Sequence, residues 1–462
     1  MKTNISSLGQ GPGLAWKRST SSFPPGSLAS LQEWTGGTTE PVGPPPWHGD
    51  VTFQQWNTIG WGITDDGILC IRPWKGDTGE TGSVTNYTGA PWYDQRSNIK
   101  KIESTGTIVL NETSPYLFFG CSSLRDLRGL EDWDVSNVTN MYYMFYGCSM
   151  LTDLTGLKYW DVSNAWNMSG MFQNCSNLDD LDALMDWNVS NVNMSRMFAG
   201  CSSLRYLTPL RDWDVSEVTN TSSMFYGCSN LTDLTDLKYW NVSNVTDMGS
   251  MFFGCSSLRD LRGLEDWEVA SVESMSGMFS DCSSLTDLTD LAFWNVAEVT
   301  NMSSMFYWCS SLTDLTALSG WNMSNVTNTN GMFAGCSNLT DMIALGYWNV
   351  SNVTNMSGMF YSCSSLNDLI GLALWNVSSV TNMNSMFQGC SSIQRIGIPS
   401  IANGGKKLVE NAEAAKLTTV LTRIVSDDGL GPYTWDELYT EMTSNPDTFQ
   451  DSTVWVKAEE AE

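Results

Sequence analysis

Eleven cysteines punctuate this chain at nearly constant intervals. They are Cys121, Cys148, Cys175, Cys201, Cys228, Cys255, Cys282, Cys309, Cys336, Cys363 and Cys390, and every step is 27 residues except the 26 from Cys175 to Cys201. A fixed period in the twenties marks a solenoid. Each unit is one coil that cannot bury its apolar face alone, and stacking supplies the common core. Length then reflects the number of coils, so the 462 residues need not divide into separate cores.

Aligned on cysteine, the unit reads W-[DN]-V-S-N-V-T-N-M-S-x-M-F-x-G-C-S-S-L-x-D-L-x-x-L. Its tryptophan recurs from Trp133 to Trp375, its Met-Phe pair from Met144-Phe145 to Met386-Phe387, and the block at 120–133 returns unchanged at 254–267. The leucine spacing, as in Leu151, Leu154 and Leu157, predicts a short strand lining one face of the stack. The alternating V-S-N-V-T-N predicts a second extended segment. Met141, Met144 and Phe145 stand at i, i+3 and i+4, with Gly147 suited to a left-handed close, which predicts one or two helical turns on the outer face. Asp281, Trp308 and Ser362 are among the residues that replace that glycine, so the turn is not uniform. The short unit lacks one residue between Val192 and Asn193, where a bulge or tightened turn is expected.

The expected fold is therefore an LRR-like repeat solenoid, mainly β with short helical turns, of about ten coils. Residues 1–46 read as an extended Gly/Pro-rich anchoring arm, 47–120 as an N-terminal β cap, 121–402 as the solenoid and 403–462 as a small C-terminal α/β module. In the cap, GITDDGILCI and NIKKIESTGTIVL each carry a turn between strand-like runs, and Tyr116 to Gly120 is a degenerate first repeat. At the far end, Ile393, Ile396 and Ile398 imitate the leucine strand, 405–425 reads as a helix, Thr434 to Glu437 as a capping box, and Thr453 to Val456 as a strand.

The unit and its spacing resemble the BspA-like leucine-rich repeats of bacterial surface proteins, in the variant of mycoplasma lipoproteins and gut-commensal adhesins. Ala90-Pro91-Trp92-Tyr93-Asp94, Arg96 and Ile99-Lys100-Lys101-Ile102 are similar to the segment that precedes such repeats. The resemblance implies adhesion and host binding.

Charge limits the partners. With 50 acidic against 23 Lys and Arg residues, the net charge of -27 repels phosphate backbones and anionic lipid, so neither nucleic acid nor membrane insertion is expected. No apolar run reaches membrane-spanning length, and the opening residues lack the apolar run of a signal peptide. The cysteines lack CxxC spacing, so buried thiols are expected rather than metal ligands or disulfides. Asp126, Asp153, Asp180, Asp233, Asp260, Asp287, Asp314, Asp341 and Asp368 form one column, interrupted by Tyr206. Hydrogen-bonded or solvated carboxylates are expected there, with a cation column the lesser reading. Asn137, Asn244 and Asn352 match a glycosylation pattern, yet the repeat itself generates them, and bonding between coils is the expected use. Gly76, Gly79 and Gly82 read as a flexible loop.

The candidate ligand-contact residues are aromatics that vary from coil to coil. Tyr159, Tyr239, Phe293 and Tyr347 precede the tryptophan, while Tyr146, Tyr226, Phe253, Tyr307 and Tyr361 follow Met-Phe. Packing on the next coil accounts for them equally well. The single histidine, His48, and the repetition of every acid leave no unique catalytic constellation, so no enzyme, cofactor or metal is expected. The expected role is display and binding. A phage virion component (decoration, fibre or tail) stands slightly ahead of a secreted bacterial adhesin, and a glycan-active enzyme comes last. The expected partners are assembly proteins through the arm and a host surface protein or glycan through the solenoid.

Overall fold

The computed structural model describes residues 51–418, 421, 424–427 and 429–457. The anchoring arm expected at 1–46 lies outside them. The described residues belong to one compact unit.

The stack opens on a sheet of β1 (Gln54–Trp56), β2 (Ile59–Ile63), β3 (Ile68–Pro73) and β4 (Lys101–Ser104), in that order. The first three strands run antiparallel, and β4 pairs parallel to β3, starting the parallel register that the coils continue. Then β5 (Ile108–Val109) pairs parallel with β6 (Trp133–Asp134), the tryptophan corner of the first full coil. Trp92 is buried with its ring edge-on to Trp56 and Trp61 and stacked on Phe118 at 5.7 Å. The cap thus supplies the first ring of the aromatic column behind it.

That column runs unbroken from Phe118 to Phe387. Successive phenylalanine rings lie 5.3–5.9 Å apart and within 14° of parallel. This is offset stacking, imposed when identical residues repeat at the strand-to-strand spacing of about 4.8 Å. Leucine, valine, methionine and cysteine columns fill the remaining core, nearly all fully buried. Trp133 donates its indole N–H to the Ser104 hydroxyl, and each repeat tryptophan after it donates to a leucine carbonyl of the preceding coil, for example Trp160 to Leu130 at 3.0 Å and Trp240 to Leu210 at 2.8 Å. Each repeat cysteine after Cys121 points its thiol at the phenylalanine carbonyl one coil back, at 2.9–3.3 Å, and all the cysteines are free and buried.

The Met-Phe segment is not a helix on the outer face. Met141, Met144 and Phe145 are wholly buried, and the segment is a run of overlapping four-residue turns. The reason lies in the backbone. Tyr143 has φ 54° and Gly147 φ 72°, so two left-handed residues per coil break the helical succession. Alternate N–H groups then all face the next coil: Met141 to Asn167, Tyr143 to Ser169, Phe145 to Met171 and Gly147 to Gln173, at 2.7–3.0 Å. Elsewhere in the coil the ladder reverses, with Thr152 N–H donating back to Arg125 and Trp166 N–H to Thr139.

The leucine segment is shorter as a strand than its spacing predicts. Toward the two ends of the stack it forms parallel bridges, Asp126 with Asp153 and Asp341 with Asp368, and in most coils the L-x-x-L half closes as a 3-10 turn, for example Thr155–Leu157. Up to three Asx turns per coil set the corners. In one coil Asp153 accepts from Thr155 N–H, Asp161 from Ser163 N–H and Asn167 from Ser169 N–H, at 2.9–3.1 Å. At the short unit, the bridges run Asn140–Asn167–Asn193 and resume at Asn220–Asp247. The missing residue therefore costs a corner rung while Arg196 N–H still reaches Ser222 and Phe198 N–H still reaches Met224.

The stack closes on a sheet of β7 (Asp368–Leu369), β8 (Arg395–Ile398), β10 (Thr453–Lys457) and β9 (Ile424–Ser426), in that spatial order. The helix expected over 405–425 is only α1 (Gly405–Glu410), since Ile424–Ser426 is strand. The carbonyls beyond α1 serve the last coil instead: Ser385 N–H donates to Ala414 at 2.6 Å and Phe387 N–H to Ala415 at 2.9 Å. Helix α2 (Trp435–Ser444) opens on the expected capping box, with Thr434 and Glu437 satisfying each other's backbone N–H.

Candidate functional site

The predicted aromatics separate into two columns with different surroundings. Those after Met-Phe are half-buried and lean on neighbours. Tyr146 stacks on Phe119 at 4.8 Å, Tyr226 on Phe253 at 4.5 Å, and Tyr307 meets Trp308 edge-on at 6.2 Å. Tyr226, at 42% exposed, is the barest of this column, followed by Tyr361 at 37%. These rings mostly serve packing between coils.

Those before the tryptophan stand clear of the coil. Tyr159 is 78% exposed, Tyr239 60%, Phe293 92% and Tyr347 79%. The 3-10 turn explains this: the leucine turns inward, two residues follow, and Trp must point in again, so the residues between them face out. The column reads Asp132, Tyr159, Asp186, Asp212, Tyr239, Asp266, Phe293, Gly320, Tyr347, Leu374. Its apolar members thus concentrate toward the C-terminal coils, where Leu374 is also 58% exposed.

Beside the last aromatics lies a groove between successive 3-10 turns. One cavity of about 470 Å³ is lined by Asp287, Thr289, Ala292, Asp314, Ser319 and Gly320 among others. Its neighbour, of about 380 Å³, shares Asp314, Thr316 and Ser319 and adds Asp341, Ile343 and Tyr347. The aspartates are not a bare ladder. Oδ1 of Asp287 accepts the N–H of Thr289, and Oδ1 of Asp314 accepts both the N–H and the hydroxyl of Thr316. Those Thr316 bonds hold the Asp314 carboxyl below the usual carboxylate range. Among the described residues no cluster of His, Cys, Asp and Glu has the arrangement of a metal site. The asparagine column bonds between coils as expected, with Asn244 donating to Ser216 and Asn352 to Ser324, both at 2.7 Å.

Sequence reasoning passed over several exposed groups as ligand contacts: Trp166, Tyr206, Ile343 and Trp308, all 45–62% exposed. Each breaks its column's consensus, which was the available signal. It also missed two cations on the outward column. Arg211 lies over the Tyr239 ring at 4.4 Å and Lys158 over Tyr159 at 5.6 Å.

The model of the family described as "Mycoplasma protein of unknown function, DUF285" matches residues 113–236, 231–341 and 313–398. The chain belongs to this family. The resemblance to BspA-like leucine-rich repeats is thereby shown, over the same coils that carry the cysteine and Met-Phe columns. Among solved structures, a leucine rich cell surface protein from Faecalibacterium prausnitzii A2-165 is similar at 16% identity, with TM-score 0.36, over 74% of this chain and 93% of that one. A leucine-rich repeat protein from Eubacterium ventriosum ATCC 27560 is similar at 14% identity, with TM-score 0.31, over 73% and 82%. No curated protein matches. Among the described residues no helix is long and apolar enough to cross a membrane.

Proposed function

We propose that this chain is a bacterial cell-surface adhesion module, binding through the outward aromatic column and catalysing nothing. The observation that carries the reading is that column: Tyr159, Tyr239, Phe293 and Tyr347 stand 60–92% exposed at one repeated position of a rigid stack. Large rings held free of the core are characteristic anchors of binding surfaces. Membership of the mycoplasma family supports a bacterial cell surface over a virion. The virion reading drew on the chain's opening residues and on the arm at 1–46, which lies outside the described residues. Within the repeats, the acids and hydroxyls recur in structural Asx turns, which is the use expected of a scaffold.

The test has two arms. Intact producing cells are stained with antibody to the chain, and host-cell binding of the purified chain is compared with that of a variant carrying alanine at the four outward rings. Surface staining with loss of host-cell binding in the variant is expected. Recovery of the protein in purified virions and not on cells overturns the location, and undiminished binding by the variant overturns the role of the column.

A further inference from the structure

We infer that the groove beside Tyr347 and Phe293 is a receptor for the basic side chains, Arg above all, of a partner protein. This deepens the reading above and rests on it. The argument begins with what the chain does elsewhere at the same repeat position. Arg211 stands two residues before Trp213, and its guanidinium covers Tyr239, the outward ring of the next coil. Lys158 covers Tyr159 within one coil. Two of the outward rings, Tyr159 and Tyr239, thus carry a cation on their face, whereas Lys238 at the same repeat position pairs with the carboxylates of Glu265 and Asp266.

The C-terminal coils withhold that cation. The position of Arg211 relative to Tyr239 is filled by Ser319 relative to Tyr347 and by Glu265 relative to Phe293. Between Arg262 and Arg395 there is no Lys, Arg or His at all. Ser319 lines both cavities, and Gly320 has open space where a Cβ would stand, so the volume that an arginine would occupy is the groove itself.

Charge supplies the second half of the fit. Asp287, Asp314 and Asp341 line the groove, and their Asx turns use Oδ1. Asp290, on the same 3-10 turn as Leu291, has its carboxyl raised by burial first and then by the charges of Glu265, Asp287 and Asp260, while Lys238 and Arg262 pair with Glu265 and Asp260 on the preceding coils. A guanidinium entering from solvent would find a ring face and carboxylates together, the pairing that favours Arg over a neutral ligand.

The test uses the full chain and a dye-labelled Gly-Ser peptide carrying two arginines, against the same peptide with citrulline, followed by fluorescence anisotropy. The arginine peptide is expected to bind, to weaken with added salt, and to exceed its citrulline twin by at least about tenfold. Tyr347→Ala is expected to weaken it about tenfold. Ser319→Arg places the chain's own cation in the groove, as Arg211 does naturally, and is expected to abolish binding with an unchanged melting temperature. Equal binding of the two peptides, indifference to both substitutions, or no binding overturns the inference. If a neutral oligosaccharide binds instead and loses affinity in Tyr347→Ala, the cation receptor fails while the adhesion reading stands. If neither probe binds and the four-ring variant still adheres to host cells, both fail.

Discussion

Each repeat cysteine sits fully buried in its coil, out of reach of water. Burial pushes the Cys121 and Cys336 thiols from an ordinary value near 9.0 up to about 12. In the unfolded chain they ionise normally. A raised folded value means that the stabilisation is complete below about pH 9 and is lost as pH rises from there toward 12. The urea midpoint is therefore expected to hold steady to pH 8.5 and fall above pH 9, and thiol-reactive dyes are expected to label the native chain only as fast as it opens. A second residue-scale expectation concerns positions that break their column. Thr221 takes a methionine position, and its buried hydroxyl has no hydrogen-bond partner. Thr221→Met should stabilise by about 1–2 kcal/mol in denaturant titration. Thr329, in the same column, donates to Asn355 at 3.4 Å and should gain less. Asp281→Gly should gain about 1 kcal/mol, since Asp281 holds φ 57° where most coils have glycine.

At the scale of the coil, the phenylalanine stack and the four-rung wall are what join one unit to the next. Phe252 lies 5.7 Å from Phe225 and 5.8 Å from Phe279, all fully buried. Phe252→Ala should cost about 3–5 kcal/mol. Because each coil touches only its neighbours, the loss is local, and a single melting transition is expected to split into two by calorimetry. The period and the buried columns were legible in the sequence because a core residue must recur wherever the coil recurs. The Met-Phe turn was not. Its i, i+3, i+4 apolar spacing is shared by helices and by overlapping turns, and what separates them is the left-handed residue at Tyr143. The serines and glycines at Gly170, Ser223, Ser250 and Gly277 were the clue. The aromatic candidates were legible as a set, but composition cannot tell a ring that stacks, like Tyr226, from one that stands free, like Phe293. That distinction comes from how many backbone steps separate the inward leucine from the inward tryptophan. The arginine over Tyr239 was illegible because it acts across a coil boundary, 28 residues away.

For the whole molecule, modularity follows from caps that imitate coils. The first cap hands over a parallel strand and a tryptophan ring, and the last returns Ala414 and Ala415 carbonyls to the final coil's N–H groups. Removing one whole period, residues 229–255, leaves every column in register and should give a folded protein with native-like circular dichroism. Removing 13 residues from the same place should not. The natural loss of one residue beside Asn193 marks the tolerance between these extremes: a rung is dropped and the wall continues.

The opposed ladders also make the stack a mechanical element. Because its rungs run from coil to coil, a pull applied at the two caps loads them along their length and frees one coil after another, with no global rupture. Each released coil of 27 residues pays out roughly 90 Å of chain, so extension would proceed in equal packets at nearly constant force. A tether built this way absorbs a jolt by lengthening, and rewinds from whichever coil still stands.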